Sequence, residues 1–180
     1  FYPQTFSQVF FHIFAYHFKK KGKMWQKEAG ILLSVTKHND KSSIIHIFSR
    51  EQGYTSYMFY LAKNGKGVAK NALLQPLTKI EYESKGATQG KPLQHLSQIR
   101  NRAPYNSIPF NPVKRAIALY LSEFLTYALK NEENNIPLYV AIEDALEWFD
   151  NAEQYSNFHL LTMILVARHL GIMPGYDQYC

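Results

Sequence analysis

The charge of this chain changes sign where its hydrophobic pattern changes period. Residues 1–110 contain sixteen lysines and arginines against five acidic residues, whereas residues 111–180 contain four against nine. The basic part shows short runs of alternating apolar residues, and the acidic part shows apolar stripes of helical period. We therefore predict an α+β chain, strands first and helices second. The basic half suits a polyanion, and the acidic half suits a different partner.

The composition bounds the class of protein. A chain of 180 residues with 46% hydrophobic residues can bury a core in one domain or two small ones. The single cysteine, Cys180, excludes a disulfide within the chain and fits a reducing compartment, so we expect a cytoplasmic location. No stretch reaches the roughly eighteen consecutive apolar residues of a membrane-spanning helix, so we expect no membrane partner.

Residues 1–23 stand apart from the rest, because they are rich in aromatic residues and end in a cluster of lysines. A secretory signal would place its charges before the apolar run. Two interpretations stay open: sequence upstream of Met24 that is not part of the fold, or an amphipathic helix on a membrane surface. We favour the first. Without this segment, residues 24–110 still carry a net charge of +7.

Five short strands are predicted between residues 24 and 108. They cover residues 28–37, 43–49, 54–61, 77–82 and 93–101. Turn residues such as Asn39, Asp40 and Gly53 separate the first three. A small barrel or sandwich accommodates this number of strands, and the OB-fold is the best-known five-stranded solution. We predict an N-terminal five-stranded OB-fold barrel in residues 24–108.

Residues 109–180 are predicted to form an α-helical domain. Asn111 is placed to cap a first helix that has Pro112 at its first position and runs to about Lys130. A second helix is expected from Pro137. A third covers residues 158–170, with Ser156 or Asn157 as its cap and Gly171 after its end.

The segment APYNSIP, residues 103–109, separates the two predicted parts. Its two prolines disfavour helix at the residue before each, and it is too short to act as a free tether. We therefore expect it to join the barrel directly to the helices.

No catalytic or metal-binding arrangement stands out among the seven histidines and the acidic residues. His12 and His17, the one histidine pair whose spacing is near that of metal-binding motifs, lie in the N-terminal segment. Adjacent acids such as Glu143 and Asp144 are typical of solvated helix faces. Residues 63–67, KNGKG, lack the ending of a P-loop. We expect a protein that is not an enzyme and uses no cofactor.

Basic residues at predicted strand ends and in loops indicate a nucleic-acid surface. The candidate DNA-binding residues are Lys37, Lys41, Arg50, Lys63, Lys66, Lys70, Arg100 and Arg102. Aromatic residues of the third strand lie between them, and single-strand binders combine a basic groove with aromatic rings on which bases stack. These rings are Tyr54, Tyr57, Phe59 and Tyr60. For any single ring, a place in the core is the commoner outcome.

Several segments, taken in order, resemble the RecO family of bacterial DNA repair proteins, in the form seen in Bacteroidetes-like sequences. AGILLSVTKHNDKSSIIHIFSREQG (29–53) resembles the opening hairpin of that family, and LAKNGKGVAKNALLQPL (61–77) resembles its basic loop before a strand. SIPFNPVKRAIALYLSEFL (107–125) resembles the start of its helical domain, and LGIMPGYDQYC (170–180) the end of its third main helix.

This resemblance implies an OB-fold followed by a helical domain, and a recombination mediator in DNA repair. RecO proteins bind single- and double-stranded DNA, anneal complementary strands, and act with RecR and the single-strand-binding protein SSB so that RecA can load. The helical domain of the family receives the acidic, hydrophobic C-terminal tail of SSB. The candidate cations for that tail are Lys114, Arg115 and Arg168.

Two departures from the family pattern matter. The family loop begins with glycine and arginine, whereas Ala62 and Lys63 stand here, and lysine lacks the bidentate fork that arginine offers to phosphate. Many members also carry a zinc site. One cysteine cannot form it, so zinc is expected only in a longer protein and this chain is interpreted as a fragment. A protein-interaction adaptor and an RNA-binding OB-fold protein stay open as alternatives.

Overall fold

The computed structural model describes residues 25–60, 74–84 and 93–173. Six strands come first: β1 (Gln26–Asn39), β2 (Ser42–Ser49), β3 (Gly53–Tyr60), β4 (Lys79–Ser84), β5 (Gln94–His95) and β6 (Ser97–Asn101). Three helices follow: α1 (Pro112–Ala128), α2 (Ile136–Asn151) and α3 (Phe158–His169). The N-terminal segment, Cys180 and the lysines Lys63, Lys66 and Lys70 lie outside the described residues.

The strands form one sheet in the order β5-β3-β2-β1-β4-β6. β5 pairs in parallel with β3, and β6 pairs antiparallel with β4. Only Leu96 separates β5 from β6, so one continuous segment touches both outer strands and closes the sheet into a barrel. This is the arrangement of an OB-fold, and the predicted fold class is confirmed. The predicted fifth strand is divided in two, and Gln98 just after the break has a φ of 48°.

β1 is buried on both of its faces over Ile31, Leu32 and Leu33. The register with β2 shifts between Leu32 and Ser34, which marks a β-bulge. The alternation of buried and exposed positions along β1 is therefore interrupted, and Val35 is 37% exposed. A strand buried on both faces separates two cores, one inside the barrel and one outside it.

The barrel interior is filled by apolar side chains of the strands. They are Leu32, Ile45, Ile47, Tyr57, Phe59, Ile80, Tyr82, Leu96 and Ile99. The buried carboxylate of Glu28 accepts hydrogen bonds from the hydroxyls of Ser49 (3.3 Å), Tyr82 (3.2 Å) and Ser84. These donors satisfy a charge that burial would otherwise penalise.

The helix boundaries follow their capping residues. Asn111 Oδ1 accepts the backbone N–H of Val113 at 2.9 Å and of Lys114 at 3.2 Å, which confirms the predicted cap of α1. Gly171 has a φ of 69° and ends α3 as predicted. Asn157, one of the two predicted caps, occupies the N-cap position of α3. Its side chain makes no capping bond, because its backbone is not in the extended conformation that directs a cap toward the first turn.

The helices pack against the outer face of the barrel and share a core with it. Buried strand residues Ile31, Leu33 and Phe48 belong to the same cluster as helix residues, which are Ala118, Leu121, Leu125, Leu138, Tyr139, Ile142, Leu146, Phe149, Phe158 and Val166. The segment between the two parts is clamped as well: Tyr105 donates its hydroxyl to the carbonyl of Leu77 at 2.9 Å. As expected, residues 103–109 do not form a free tether.

Candidate nucleic-acid interface

The turn between β1 and β2 carries two of the predicted DNA-binding lysines. Lys37 is 72% exposed on its side chain and lies 2.9 Å from Asp40. The backbone N–H of Lys41 donates to Asn39 Oδ1 at 2.9 Å, which fixes the turn and leaves the Lys41 side chain exposed. This hairpin therefore presents two ammonium groups at one end of the barrel.

The last residue of β3 lies beside this hairpin. Tyr60 pairs with Ser42, the first residue of β2, and is 59% exposed. Bases stack on exposed aromatic rings in proteins that bind single strands. The chain enters residues 61–73, with Lys63, Lys66 and Lys70, directly after Tyr60. This predicted lysine loop itself lies outside the described residues.

Two exposed arginines of the predicted DNA-binding set, Arg50 and Arg100, lie away from this hairpin. Arg50 is in the turn between β2 and β3, at the opposite end of the barrel, 4.0 Å from Glu51. Arg100 is exposed on β6 and lies opposite Glu81 of β4. Those of the predicted basic residues that the structure describes do not lie in one patch.

Arg102, also predicted to bind DNA, forms an ion pair with Glu143 of α2, and its backbone N–H donates to the carbonyl of Lys79. Lys79 is itself 5% exposed and lies 3.6 Å from Glu147. These two cations hold α2 against the barrel. We therefore correct the assignment of Arg102, whose guanidinium is occupied within the molecule.

The four aromatic candidates divide between core and surface. Tyr57 and Phe59 fill the barrel interior, at 1% and 5% exposure. Tyr54 is half-buried, and its hydroxyl bonds His46 Nδ1 at 2.9 Å. Ser56 Oγ lies 2.8 Å from the same nitrogen. Tyr60 is thus the one of the four that presents its ring to solvent.

Lys114 is not at the surface, in contrast to the prediction that it binds a partner's acidic tail. It is 3% exposed, and its Nζ donates to Ser107 Oγ at 2.8 Å and to the carbonyl of Asp150 at 2.9 Å. The same ammonium lies 4.9 Å from the centre of the Tyr155 ring. We correct this assignment, because the charge is used inside the helical part.

Asp150, near the end of α2, is buried, unlike the solvated acids expected on helix faces. Its carboxylate accepts the backbone N–H groups of Asn106 (2.7 Å), Ser107 (2.8 Å) and Ile108 (3.0 Å). Burial opposes its ionisation, but these three donors outweigh burial and lower the pKa of Asp150. The available signal was its position in the last turn of a helix, where the dipole disfavours a carboxylate.

Arg115 and Arg168 keep exposed side chains. Arg115 borders an apolar groove of about 380 Å³ between the start of α1 and the barrel. The groove is lined by Gln75, Pro76, Ile108, Pro109, Pro112, Arg115, Ala116, Ala118 and Leu119. Arg168 lies in the last turn of α3 and does not line this groove.

Two further kinds of feature are absent from the part of the chain that the structure describes. It contains no cluster of three or more histidine, cysteine or acidic side chains arranged to hold a metal ion. None of the described helices is long and apolar enough to cross a membrane.

Comparison with known proteins decides the family. The sequence profile described as recombination protein O N terminal matches residues 24–105, and the profile described as recombination protein O C terminal matches residues 109–180. The chain belongs to the RecO family. The boundary between the two profiles falls in the clamped segment, and the N-terminal profile covers the barrel.

Curated RecO proteins of Bacteroidetes are similar to this chain over most of its length. The DNA repair protein RecO of Phocaeicola vulgatus is 35% identical over 160 residues, which are 87% of this chain and 65% of that protein. The protein of the same name from Flavobacterium johnsoniae is 34% identical over 153 residues, 84% of this chain and 64% of that protein. The chain thus spans slightly less than two thirds of the length of these relatives.

Proposed function

We propose that this chain is the DNA-binding portion of a cytoplasmic, non-enzymatic recombination mediator in DNA repair. It binds single- and double-stranded DNA through the OB-fold barrel, anneals complementary strands, and acts with RecR to help load the recombinase. Membership of the RecO family supports this role. The observation that carries it is the basic hairpin of Lys37 and Lys41 beside the exposed ring of Tyr60.

The chemistry of this end of the barrel fits a strand bound without regard to sequence. Ammonium groups attract phosphates as point charges, whereas base-specific contacts rely more on flat, bidentate groups. A tyrosine ring stacks on any base. Such a surface holds strands in a way that leaves base edges free to pair, which annealing requires.

Binding of labelled single strands over a series of salt concentrations tests the proposal. We expect the logarithm of the affinity to fall linearly with the logarithm of the salt concentration, because phosphate contacts release counterions. Replacing Lys63, Lys66 and Lys70 together by alanine should reduce that slope by up to about three, roughly one for each lost contact. Absence of binding at low salt would contradict the proposal and favour a protein-interaction adaptor.

The RNA-binding alternative is decided by the same assay with RNA of identical sequence. Stacking and phosphate contacts do not select the sugar. Tighter binding of RNA than of DNA at every salt concentration would replace the DNA proposal by the RNA one.

We also propose that the groove beside Arg115 receives the acidic, hydrophobic tail of SSB. The groove is apolar apart from Gln75 and Arg115, so it offers a place for a hydrophobic end and one cation for a carboxylate. Titration of a tail peptide should show binding that Arg115→Ala weakens about tenfold, the equivalent of one charged hydrogen bond. Arg168→Ala is the comparison variant. If Arg168→Ala alone weakens binding, the tail lies on α3 instead.

A further inference from the structure

β1 extends well beyond the strand that pairs with one of its edges. β4 pairs with Gln26–Ile31, and two further bonds follow: Leu32 N–H to the carbonyl of Thr78 (3.0 Å) and Leu77 N–H to the carbonyl of Leu32 (2.8 Å). β2 covers the opposite edge as far as Asn39. Over residues 33–39, no strand among the described residues pairs with the edge of β1 that faces β4 over Gln26–Ile31.

The register shows which backbone groups this open edge presents. Leu32 directs its backbone N–H and C=O groups away from β2 and lies opposite Ile47 in the register. In an antiparallel ladder the direction of the backbone N–H and C=O groups alternates along each strand. Ile45 and Ser43, like Ile47, therefore make no hydrogen bonds to the β1 residues opposite them. Their partners on β1 are Val35 and Lys37. The N–H and C=O groups of Val35 and Lys37 therefore point out of the open edge.

A groove of about 590 Å³ lies along this edge, between β1 and α1. One side is formed by the consecutive residues 32–36, which come from both faces of the strand, as expected where the edge itself is accessible. The other side includes Leu119 and Tyr127 of α1, which are 61% and 73% exposed. An added strand would have apolar partners for its side chains and backbone partners for its ladder.

The charges around the groove decide what kind of strand fits. Lys130 lines it near His46, and Lys37 stands on the edge itself. Antiparallel pairing of two copies of this chain would bring their edge lysines together, which disfavours a second copy. Glu123 also lines the groove, two helical turns before Lys130, and would repel an acidic residue of a partner. Such a residue therefore fits only at the Lys130 end.

We propose that the open edge of β1 binds an extended, acidic segment of a partner protein as an added antiparallel strand. The segment alternates apolar side chains toward α1 with polar ones, and places a carboxylate near Lys130. This site shares Lys37 with the hairpin of the proposed DNA interface, but its backbone ladder and its contacts with α1 do not require DNA.

The test uses the full chain and a fluorescent peptide of about ten residues, alternating valine and threonine with aspartates at one end, followed by anisotropy. The key variant is Val35→Pro, which removes an N–H from the open edge while the β1–β2 ladder keeps its donors. Val35→Ala is the matched control that keeps the N–H. We expect Val35→Pro to weaken binding about fivefold, roughly one hydrogen bond, and Val35→Ala to weaken it less.

Charge and backbone are tested on the peptide side as well. Replacing the aspartates by lysines, or methylating alternate backbone nitrogens, should abolish saturable binding, and Lys130→Gln should weaken the acidic peptide only. The proposal is overturned if the acidic peptide does not bind at about 1 mM, or if Val35→Pro and Val35→Ala bind it equally. A dimer in sedimentation that Val35→Pro dissociates would also overturn it, since a second copy would then occupy the edge.

Discussion

The barrel interior and the layer outside β1 are both buried, but different parts of the chain build them. The interior uses strand residues alone, such as Leu32, Ile47 and Tyr57. The outer layer joins Ile31 of β1 and Phe48 of β2 to side chains of all three helices in one hydrophobic cluster. The burial of the outer faces of β1 and β2 therefore depends on helix residues more than sixty positions further along the chain.

The difference explains what becomes of the charge asymmetry. Where barrel and helices meet, Arg102 pairs with Glu143 and Lys79 with Glu147, so basic residues of the first half meet acidic residues of the second. The hairpin, in contrast, keeps Lys37 and Lys41 at the surface. Part of the asymmetry thus serves contact between the two halves, and only the remainder is available to the proposed DNA interface.

The largest effect is expected when the outer layer is removed. Residues 24–108 alone would expose Ile31, Leu33, Phe48 and Leu77, a loss of roughly 6 kcal/mol or more at about 1.5–3 kcal/mol for each buried side chain. Domain stabilities are about 5–15 kcal/mol, so the excised barrel should be largely unfolded. Thermal unfolding followed by circular dichroism, with residues 24–180 as the matched control, measures this. Equal melting temperatures would show that the barrel needs only its interior.

A smaller loss is expected from Asp150→Asn, which disrupts the clamp between the segment 103–109 and α2. Bonds from backbone donors to a charged acceptor contribute about 1.5–3 kcal/mol, so we expect a destabilisation of about 2–3 kcal/mol. Asp144→Asn, an exposed position on the same helix, is the control and should change stability by about 0.5 kcal/mol or less.

The pH dependence of that loss has a defined sign. Because the folded state lowers the pKa of Asp150, its contribution is present above the ordinary carboxyl value of 3.8 and is lost as the pH falls through the lower, folded value. Urea unfolding at a series of acidic pH values should therefore show a steeper loss for the native chain than for Asp150→Asn. Parallel curves would mean that the clamp does not depend on the ionised carboxylate.

The elements were predictable because their signals are local. Turn residues and alternation located the strands, and Asn111, Pro112 and Gly171 located helix ends. The partners of individual charges were not predictable, since Arg102 meets Glu143 and Lys114 meets Asp150 only after distant segments pack. The bulge after Leu32 was hidden for a similar reason: it depends on how β1 pairs with β2, and the residue pattern alone continues smoothly to Val35.

Two substitutions test the distinction between a basic residue paired within the molecule, Arg102, and one exposed on the hairpin, Lys41. Arg102→Gln should lower stability by only about 1 kcal/mol, since its ion pair is partly screened by water. It should leave the salt dependence of DNA binding unchanged, because the guanidinium is paired with Glu143. Lys41→Gln should leave stability unchanged and reduce the salt slope by about one. Denaturant unfolding and the salt series together measure both variants. The distinction fails if Arg102→Gln reduces the slope as much as Lys41→Gln does.

The smallest effect is expected at His46, where the outer face of β2 meets the end of α1. Burial, and after it the positive charge of Lys130, lowers the pKa of His46 below its ordinary value of 6.5. The folded state therefore favours neutral imidazole, and the stability it contributes is present above pH 6.5 and declines as the pH falls toward the lower, folded pKa. Because the ring is only half-buried, we expect a decline below about 1 kcal/mol, which His46→Gln removes and Lys130→Gln reduces. His38→Gln, at an exposed position near the β1–β2 turn, is the control. If His46→Gln keeps the native decline between pH 7 and pH 5, this histidine is not the source of the decline.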